Sequence, residues 1–347
     1  MRVRLHSVQQ SRRCPVAVVF VTGAAGFLGV NTMLGLAAAG HEVAGADIGD
    51  RMGRLAASVI SLREGIATSD LAQPEAGSAI RDCDAIIHLA ALAHVDYSVL
   101  RPVEVIENNV SSTLAVLEAA RHSGARVVLA SSVEVYQGAT GVTYDENALL
   151  KPHSPYGSSK VAMEQIAESY RQTYGMDILT LRFTNLYGPW QAPDRVIPRV
   201  LAQQRLGVPT VATPSPMRDF LHVADAVAAI EIAVSSRLRG AVYNVSTGRG
   251  VAIDTLLRQL RGDADVRVGS LDSGRGEDLV ASPARFVDET GWSPCILLDD
   301  GLEVLRAWNA EHEDWLRIFD GITLAAWGTP ACLSDLVIPL RSAWPRK

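Results

Sequence analysis

Along the first half of the chain, apolar residues come in short continuous runs bordered by glycine, serine or an acid, with helical patterns between them. Val16 to Phe20, the stretch His41 to Asp47, Ala85 to Ile87 and Val127 to Ala130 are such runs. Runs of that length with those borders read as buried strands. Their alternation with helical patterns through residue 186 predicts an α/β fold, a parallel sheet covered by helices on both faces. From Tyr187 onward the rhythm changes, because prolines at 189, 193, 198, 209, 214 and 216 cut the pattern into shorter pieces. A loop-rich second lobe is the expectation there. No internal repeat or low-complexity tract interrupts either part.

A chain of 347 residues can bury a large core and divide into two lobes. Its 48% hydrophobic and 20% charged content describe an ordinary globular protein. The net charge of −6 argues against nucleic acid as a partner, so any anionic ligand must meet local arginines. Cys14, Cys83, Cys295 and Cys332 are scattered, with no CxxC and no histidines at metal spacing. They suit a reducing cytoplasm and predict neither a disulfide frame nor a metal site. Arg12 and Arg13 followed by Cys14 to Gly29 imitate a secretory signal, but the glycine pattern explains the same residues better. The expectation is a cytoplasmic protein with an N-terminal extension over residues 1 to about 13. No apolar run reaches 18 residues unbroken by charge, Gly or Pro, so no membrane span is expected.

Local chemistry begins where the first strand ends. Gly23, Gly26 and Gly29, in Val21-Thr22-Gly23-Ala24-Ala25-Gly26-Phe27-Leu28-Gly29, remove side chains where a tight turn could pass a pyrophosphate. A helix starting near Gly26 would point its positive end at that phosphate. The spacing is GxxGxxG, not the GxGxxG of the usual dinucleotide fingerprint. Asp47 ends the second strand 24 positions after Gly23, where a carboxylate would bind an adenosine ribose and favour NAD over NADP. Arg51 and Arg54 close behind weaken that preference. Further on, Tyr156 and Lys160 in Ser154-Pro155-Tyr156-Gly157-Ser158-Ser159-Lys160 share one helical face. An ammonium beside a phenol favours the phenolate, a tenfold gain in acidity amounting to about 1.4 kcal/mol.

In order and spacing these motifs resemble the extended short-chain dehydrogenase/reductase family, the NAD-dependent nucleotide-sugar epimerases and dehydratases, from about Val16 to about Trp308. The resemblance implies a Rossmann-like doubly wound parallel sheet over residues 14–186, with 218–247 crossing back to it, and a smaller α/β substrate-binding lobe over 187–310. The tail, 311–347, is unassigned. For the cofactor, NAD, the resemblance implies Gly23, Gly26, Phe27, Leu28 and Gly29 at the phosphates, and Asp47 at the ribose. Asp70 and Leu71 would lie by the adenine, and Leu89, Ala90, Ala91 and Asn109 along the nicotinamide ribose and the adjoining helix. Ser132, at the end of Val127 to Ser132, would hydrogen-bond the reacting oxygen, with Tyr156 as base and Lys160 holding the ribose.

The resemblance also implies a nucleotide-diphosphate sugar as substrate, oxidised by NAD at a sugar carbon, usually C4. Asn185, in a segment like RxxNxYGP, Val196, and Arg218, in Arg218-Asp219-Phe220-Leu221-His222-Val223-Ala224-Asp225, would hold the nucleotide diphosphate. Arg275 replaces the arginine of an RPGE-like turn, displaced by one, and His94 is expected near the sugar. The informative departure is Val133-Glu134, where sugar 4,6-dehydratases of the family carry Asp-Glu and decarboxylases carry Ser-Glu. Valine cannot protonate a leaving hydroxyl. A 4-epimerase needs neither residue and is the leading expectation. A decarboxylase or dehydratase using Glu134, and a non-catalytic dinucleotide-binding sensor, stay open. Family members commonly dimerise through two helices, here near residues 102 to 122 and 156 to 174, so a homodimer is expected.

Overall fold

The sequence VVFVT forms β1 (Val18–Thr22) in the middle of the main sheet, with four consecutive buried residues. Only a strand covered on both faces can bury successive side chains. The computed structural model describes residues 17–48, 66–68, 80, 83–192, 195–205, 210–212, 216–236, 238, 240–261, 266–268 and 277–312. After β1 come α1 (Phe27–Ala39), β2 (Glu42–Asp47), β3 (Ile66–Thr68), β4 (Ala85–His88), α2 (Val95–Leu100), α3 (Pro102–Ser123) and β5 (Arg126–Ser132). These are followed by β6 (Thr143–Tyr144), α4 (Pro155–Tyr174), β7 (Ile178–Phe183), β8 (Asn185–Tyr187), α5 (Val196–Arg205), β9 (Thr210–Ala212), β10 (Met217–His222) and α6 (Val223–Ser235). The rest is β11 (Val242–Val245), β12 (Gly250–Ala252), α7 (Ile253–Arg261), β13 (Val266–Val268), β14 (Val280–Ala281), α8 (Ala284–Thr290) and α9 (Leu298–Glu311).

Seven strands make the main sheet in the order β3-β2-β1-β4-β5-β7-β11, every pair parallel. The order reverses between β1 and β4, and the carboxyl ends of the strands diverge there into the crevice where doubly wound sheets bind ligands. Alternation along β1 serves both faces: Val19 and Val21 pack with Leu36, Ile230 and Leu181, whereas Phe20 packs with Ile86, Leu117 and Met163. α6 lies against α1, whose Gly35 leaves no room for a side chain beside Val227.

The second lobe has its own core. Tyr187, Ile197, Val200, Phe220, Leu256, Leu302 and Leu305 close it, around a sheet of β8, β10 and β12. Of the segment 218–247, α6 packs on α1, and β11 forms the edge of the main sheet beside β7. By contrast β10, which carries Arg218, pairs with β8 and β12. The expected N-terminal extension, and the tail from residue 313 on, lie outside the described residues. Among the described residues no helix is long and apolar enough to cross a membrane.

Candidate active site

The crevice at the sheet reversal is shaped by missing side chains. Gly23 follows β1 with φ 67°, and a Cβ on it would lie 2.8 Å from the Ala90 nitrogen, so the turn presses against the end of β4. A Cβ on Gly29 would lie 2.8 Å from the Ala24 backbone and closer still to the Gly23 oxygen. Gly26 stands at the start of α1, ahead of Phe27 and Leu28, and that helix has neither a capping side chain nor an acid in its first turn. Its leading N–H groups and positive end therefore suit an anion. Asp47 ends β2 and accepts the Ala25 N–H at 2.8 Å through one oxygen and the Ile48 N–H at 2.7 Å through the other. A turn that a Cβ would fill, a bare helix start and a strand-end carboxylate fit a dinucleotide such as NAD. Asp70 and Leu71 lie outside the described residues.

A buried polar chain fixes the wall opposite the glycine turn. Thr22 Oγ1 accepts the N–H groups of Leu89 and Ala90, each at 3.1 Å, which leaves its hydrogen for His88 Nδ1 at 2.9 Å. His88 then carries its proton on Nε2, 3.1 Å from Thr113 Oγ1, and Thr113 donates to the Asn109 carbonyl at 2.7 Å. Burial, followed by the Lys160 charge, pushes His88 down to about 3, so the ring is neutral. Asn109, fully buried, accepts the Leu92 N–H at 2.7 Å and donates to Ser159 Oγ at 2.9 Å. It ties the loop after β4, which contains Ala91, to α4.

Ser154 caps α4 by accepting the Gly157 N–H at 3.0 Å, with Pro155 at the first helical position. Tyr156 and Lys160 follow one turn apart, both buried. Lys160 Nζ donates to the Ala130 carbonyl at 2.8 Å and sits 5.9 Å from the centre of the Tyr156 ring. Ser132, the last residue of β5, is hydrogen-bonded to Tyr156, and its Oγ accepts the Glu134 N–H at 3.2 Å. Burial pushes Tyr156 up to about 12, against the Ser132 hydrogen bond and the Arg195 charge, while Glu134 raises it further. The lowered phenol expected from the Tyr-Lys spacing is thus not the state of the chain alone. Burial dominates, and the Lys160 ammonium is turned to the Ala130 carbonyl. Lys160 itself is pushed down to about 8 by burial, with Glu164 opposing.

Val133 is 2% exposed and packs with Val135, Tyr136, Leu279 and Ala281. The turn bearing Glu134 touches α4 directly, since a Cβ on Gly157 would lie 2.8 Å from Pro152 Cβ and closer still to the Glu134 carbonyl oxygen. Sequence reasoning gave no role to Glu164. Its carboxylate pairs with Arg182 at 2.7 and 3.0 Å, and the Arg182 guanidinium also donates to the Tyr136 hydroxyl at 2.9 Å. The available signal was its place four residues after Lys160, on the same helical face.

Of the residues expected at the substrate, Asn185 Nδ2 donates to the Asp219 carbonyl at 3.1 Å, and Arg218 donates to the carbonyls of Glu277 at 2.7 Å and Met217 at 3.1 Å. His94 caps α2, accepting the Tyr97 N–H at 3.4 Å. Val196 opens α5. Arg195, which sequence reasoning passed over, donates to the Ala93 carbonyl next to His94 and so joins the second lobe to the loop beyond β4. Arg275 lies outside the described residues. Among the described residues no group of three or more His, Cys, Asp or Glu side chains could hold a metal ion.

Residues 19–246 match the profile described as the NAD dependent epimerase/dehydratase family. The chain belongs to that family. As an NAD-dependent epimerase/dehydratase it is 31% identical over 312 residues to a dTDP-glucose 4,6-dehydratase of Streptomyces griseus, covering 86% of this chain and 95% of that one. Its structure is similar to that of DesIV, a dTDP-glucose 4,6-dehydratase of Streptomyces venezuelae, solved as a double mutant with NAD bound. The TM-score is 0.80 at 28% identity, covering 86% of this chain and 98% of the other. It is also similar to the UDP-glucose 4-epimerase of Thermus thermophilus in complex with NAD, with a TM-score of 0.75 and 31% identity over 85% of this chain and 99% of the other. Dehydratases and epimerases therefore share this fold at comparable distance from the chain.

Proposed function

We propose that the enzyme acts on a nucleotide-diphosphate sugar through a transient 4-keto sugar, and that its net reaction is 4-epimerisation. One observation carries the choice: Val133, at the position where resembling dehydratases hold the acid that protonates the leaving hydroxyl, is a hydrocarbon buried among hydrocarbons. NAD, held by the glycine turn and Asp47, would supply a hydride acceptor at the sugar C4 and a donor for its return. Tyr156 takes the proton of the C4 hydroxyl and gives it back, with Ser132 hydrogen-bonded to the same phenol and holding the reacting oxygen in line. Burial raises Tyr156, so its basic form needs positive charge nearby. Lys160 and Arg195 supply part of it from the protein. Asn185 and Arg218 are the proposed ligands of the diphosphate. A second copy of the chain is the proposed partner of α3, which exposes Val103, Ile106 and Leu114.

A second reading keeps Glu134 as a proton carrier at C5 and makes the enzyme a dehydratase or decarboxylase. It is supported by the electrostatic reach of Glu134 to Tyr156 and by the 4,6-dehydratase names of curated relatives. Incubation with dTDP- and UDP-linked hexoses and uronates, followed by mass and proton spectra of the products, separates the two. Epimerisation leaves the mass unchanged. Loss of water or carbon dioxide would refute it in favour of Glu134 chemistry. Tyr156→Phe should abolish turnover and retain NAD; unchanged turnover would remove the whole mechanism.

A further inference from the structure

Behind the catalytic pair lies a buried group of charges that the proposed reaction does not use. Glu164 is 5% exposed and Arg182 4%, and neither reaches the crevice through any bond described above. Glu164 receives three bonds: two from Arg182, and one from Ser131 Oγ at 2.5 Å. Ser131 is flanked in β5 by Ala130, whose carbonyl accepts Lys160 Nζ, and by Ser132, the partner of Tyr156. Consecutive residues of one strand thus engage Lys160, Glu164 and Tyr156 of one helix. Counting charge, two buried cations, Lys160 and Arg182, share a single buried carboxylate.

An ammonium 3% exposed holds its proton poorly unaided, because leaving water penalises the charged form. The groups around Lys160 are Tyr156 and Glu164 on its own helix, neutral His88 on β4, and Arg182 on β7 behind Glu164. Of these, Glu164 alone carries negative charge while Tyr156 is a phenol. We propose that Glu164 is a positioning residue of the active site: its carboxylate keeps Lys160 protonated and, through Ser131, sets the strand end that presents Ser132. The surplus positive charge of the group is then balanced when Tyr156 becomes a phenolate, which ties the state of the base to a residue outside the crevice.

The inference rests on the proposed roles of Tyr156 and Lys160, yet its test needs no turnover. The chain contains only three lysines, Lys151, Lys160 and Lys347, so biosynthetic ε-¹³C-lysine labelling gives three signals, and Lys160→Arg assigns the one of interest. In the NAD-bound protein, Glu164→Gln should move the Lys160 titration down by about one pH unit, and the alkaline limb of the kcat profile should move with it. Glu164→Asp, which keeps the charge, should titrate close to the native protein. An unmoved Lys160 signal in folded Glu164→Gln overturns the proposal, as does an equal shift in both variants, which would mean shape and not charge. If Glu164→Gln fails to fold because Arg182 is left unpaired, the double replacement Glu164→Met with Arg182→Met removes both ions, and because Arg182 lies behind Glu164 the Lys160 titration should still fall, by less than in the single variant; no fall overturns the proposal. Failure of the epimerase reading would appear instead as loss of water or carbon dioxide from the substrate, and failure of the Tyr156 role as unchanged turnover in Tyr156→Phe, either of them while the lysine shift persists.

Discussion

Gly157 offers the sharpest test of how α4, with Tyr156 on it, is seated. It lies one residue after Tyr156, and a methyl there would meet Pro152 Cβ at 2.8 Å and the Glu134 carbonyl oxygen at less. Ordinary carbon contacts begin near 3.5 Å, so the helix must move off Pro152 by about 0.7 Å and further still off the Glu134 carbonyl. The carbonyl is backbone and cannot swing aside. Two opposing terms follow for stability. Alanine in a helix is favoured over glycine by up to about 1 kcal/mol, whereas overpacking costs about 1 to 3 kcal/mol. A net loss of about 1 kcal/mol is the expectation. For activity the displacement matters more, because it moves Tyr156 relative to Ser132, and about 1 Å of misplacement can cost on the order of 100-fold. Gly157→Ala should therefore bind NAD as the native enzyme does, melt a few degrees lower, and lose ten- to a hundredfold in kcat. Retention of kcat within about twofold in a folded, NAD-loaded variant would mean that the seating of α4 against Glu134 does not set the geometry of the base, and this reasoning would fall.

Other outcomes follow from the same structure. Gly29→Ala, which presses on the Gly23 oxygen and the Ala24 backbone, should lower NAD retention during purification far more than it lowers the melting temperature. Asp219 is fully buried and pushed up to about 6 by burial, against bonds from Thr247 and Gly248. Because its folded value exceeds the ordinary one, its contribution is complete below about pH 4 and is lost as pH rises through 6, about 3 kcal/mol in all. Denaturant titrations of native protein and Asp219→Asn should diverge across that window, and parallel curves would contradict the assignment. His88 acts in the opposite sense: its value is lowered to about 3, so its contribution is present above about pH 6.5 and fades as pH falls. His88→Gln should flatten the acid side of the stability curve.

The strand, turn and helix from Val18 to Ala39 could be read in the sequence because their determinants are local: a run of apolar side chains, three glycines and an acid at a fixed remove. Ser154, Pro155, Tyr156 and Lys160 were readable for the same reason, a cap followed by helical spacing. What could not be read depends on partners far along the chain. Arg182 looked like any arginine within a motif, and only the packing of β7 against α4 reveals it as the partner of Glu164. The state of Tyr156 was equally out of reach, since spacing announces the ammonium but not the depth of burial that opposes it. The pairing of β10 with β8 needs the second lobe to exist before it can be seen.

The hydrogen bond from Ala25 to Asp47 has a bearing on attempts to redesign coenzyme preference. An acid at the end of the second strand is the usual target when a dinucleotide enzyme is to be turned toward a ribose bearing an extra phosphate. In this chain the same carboxylate also latches the glycine turn, at 2.8 Å. Replacing it with a small or basic residue would alter recognition and slacken the turn together. A successful exchange would need a second change that gives the Ala25 amide a new acceptor.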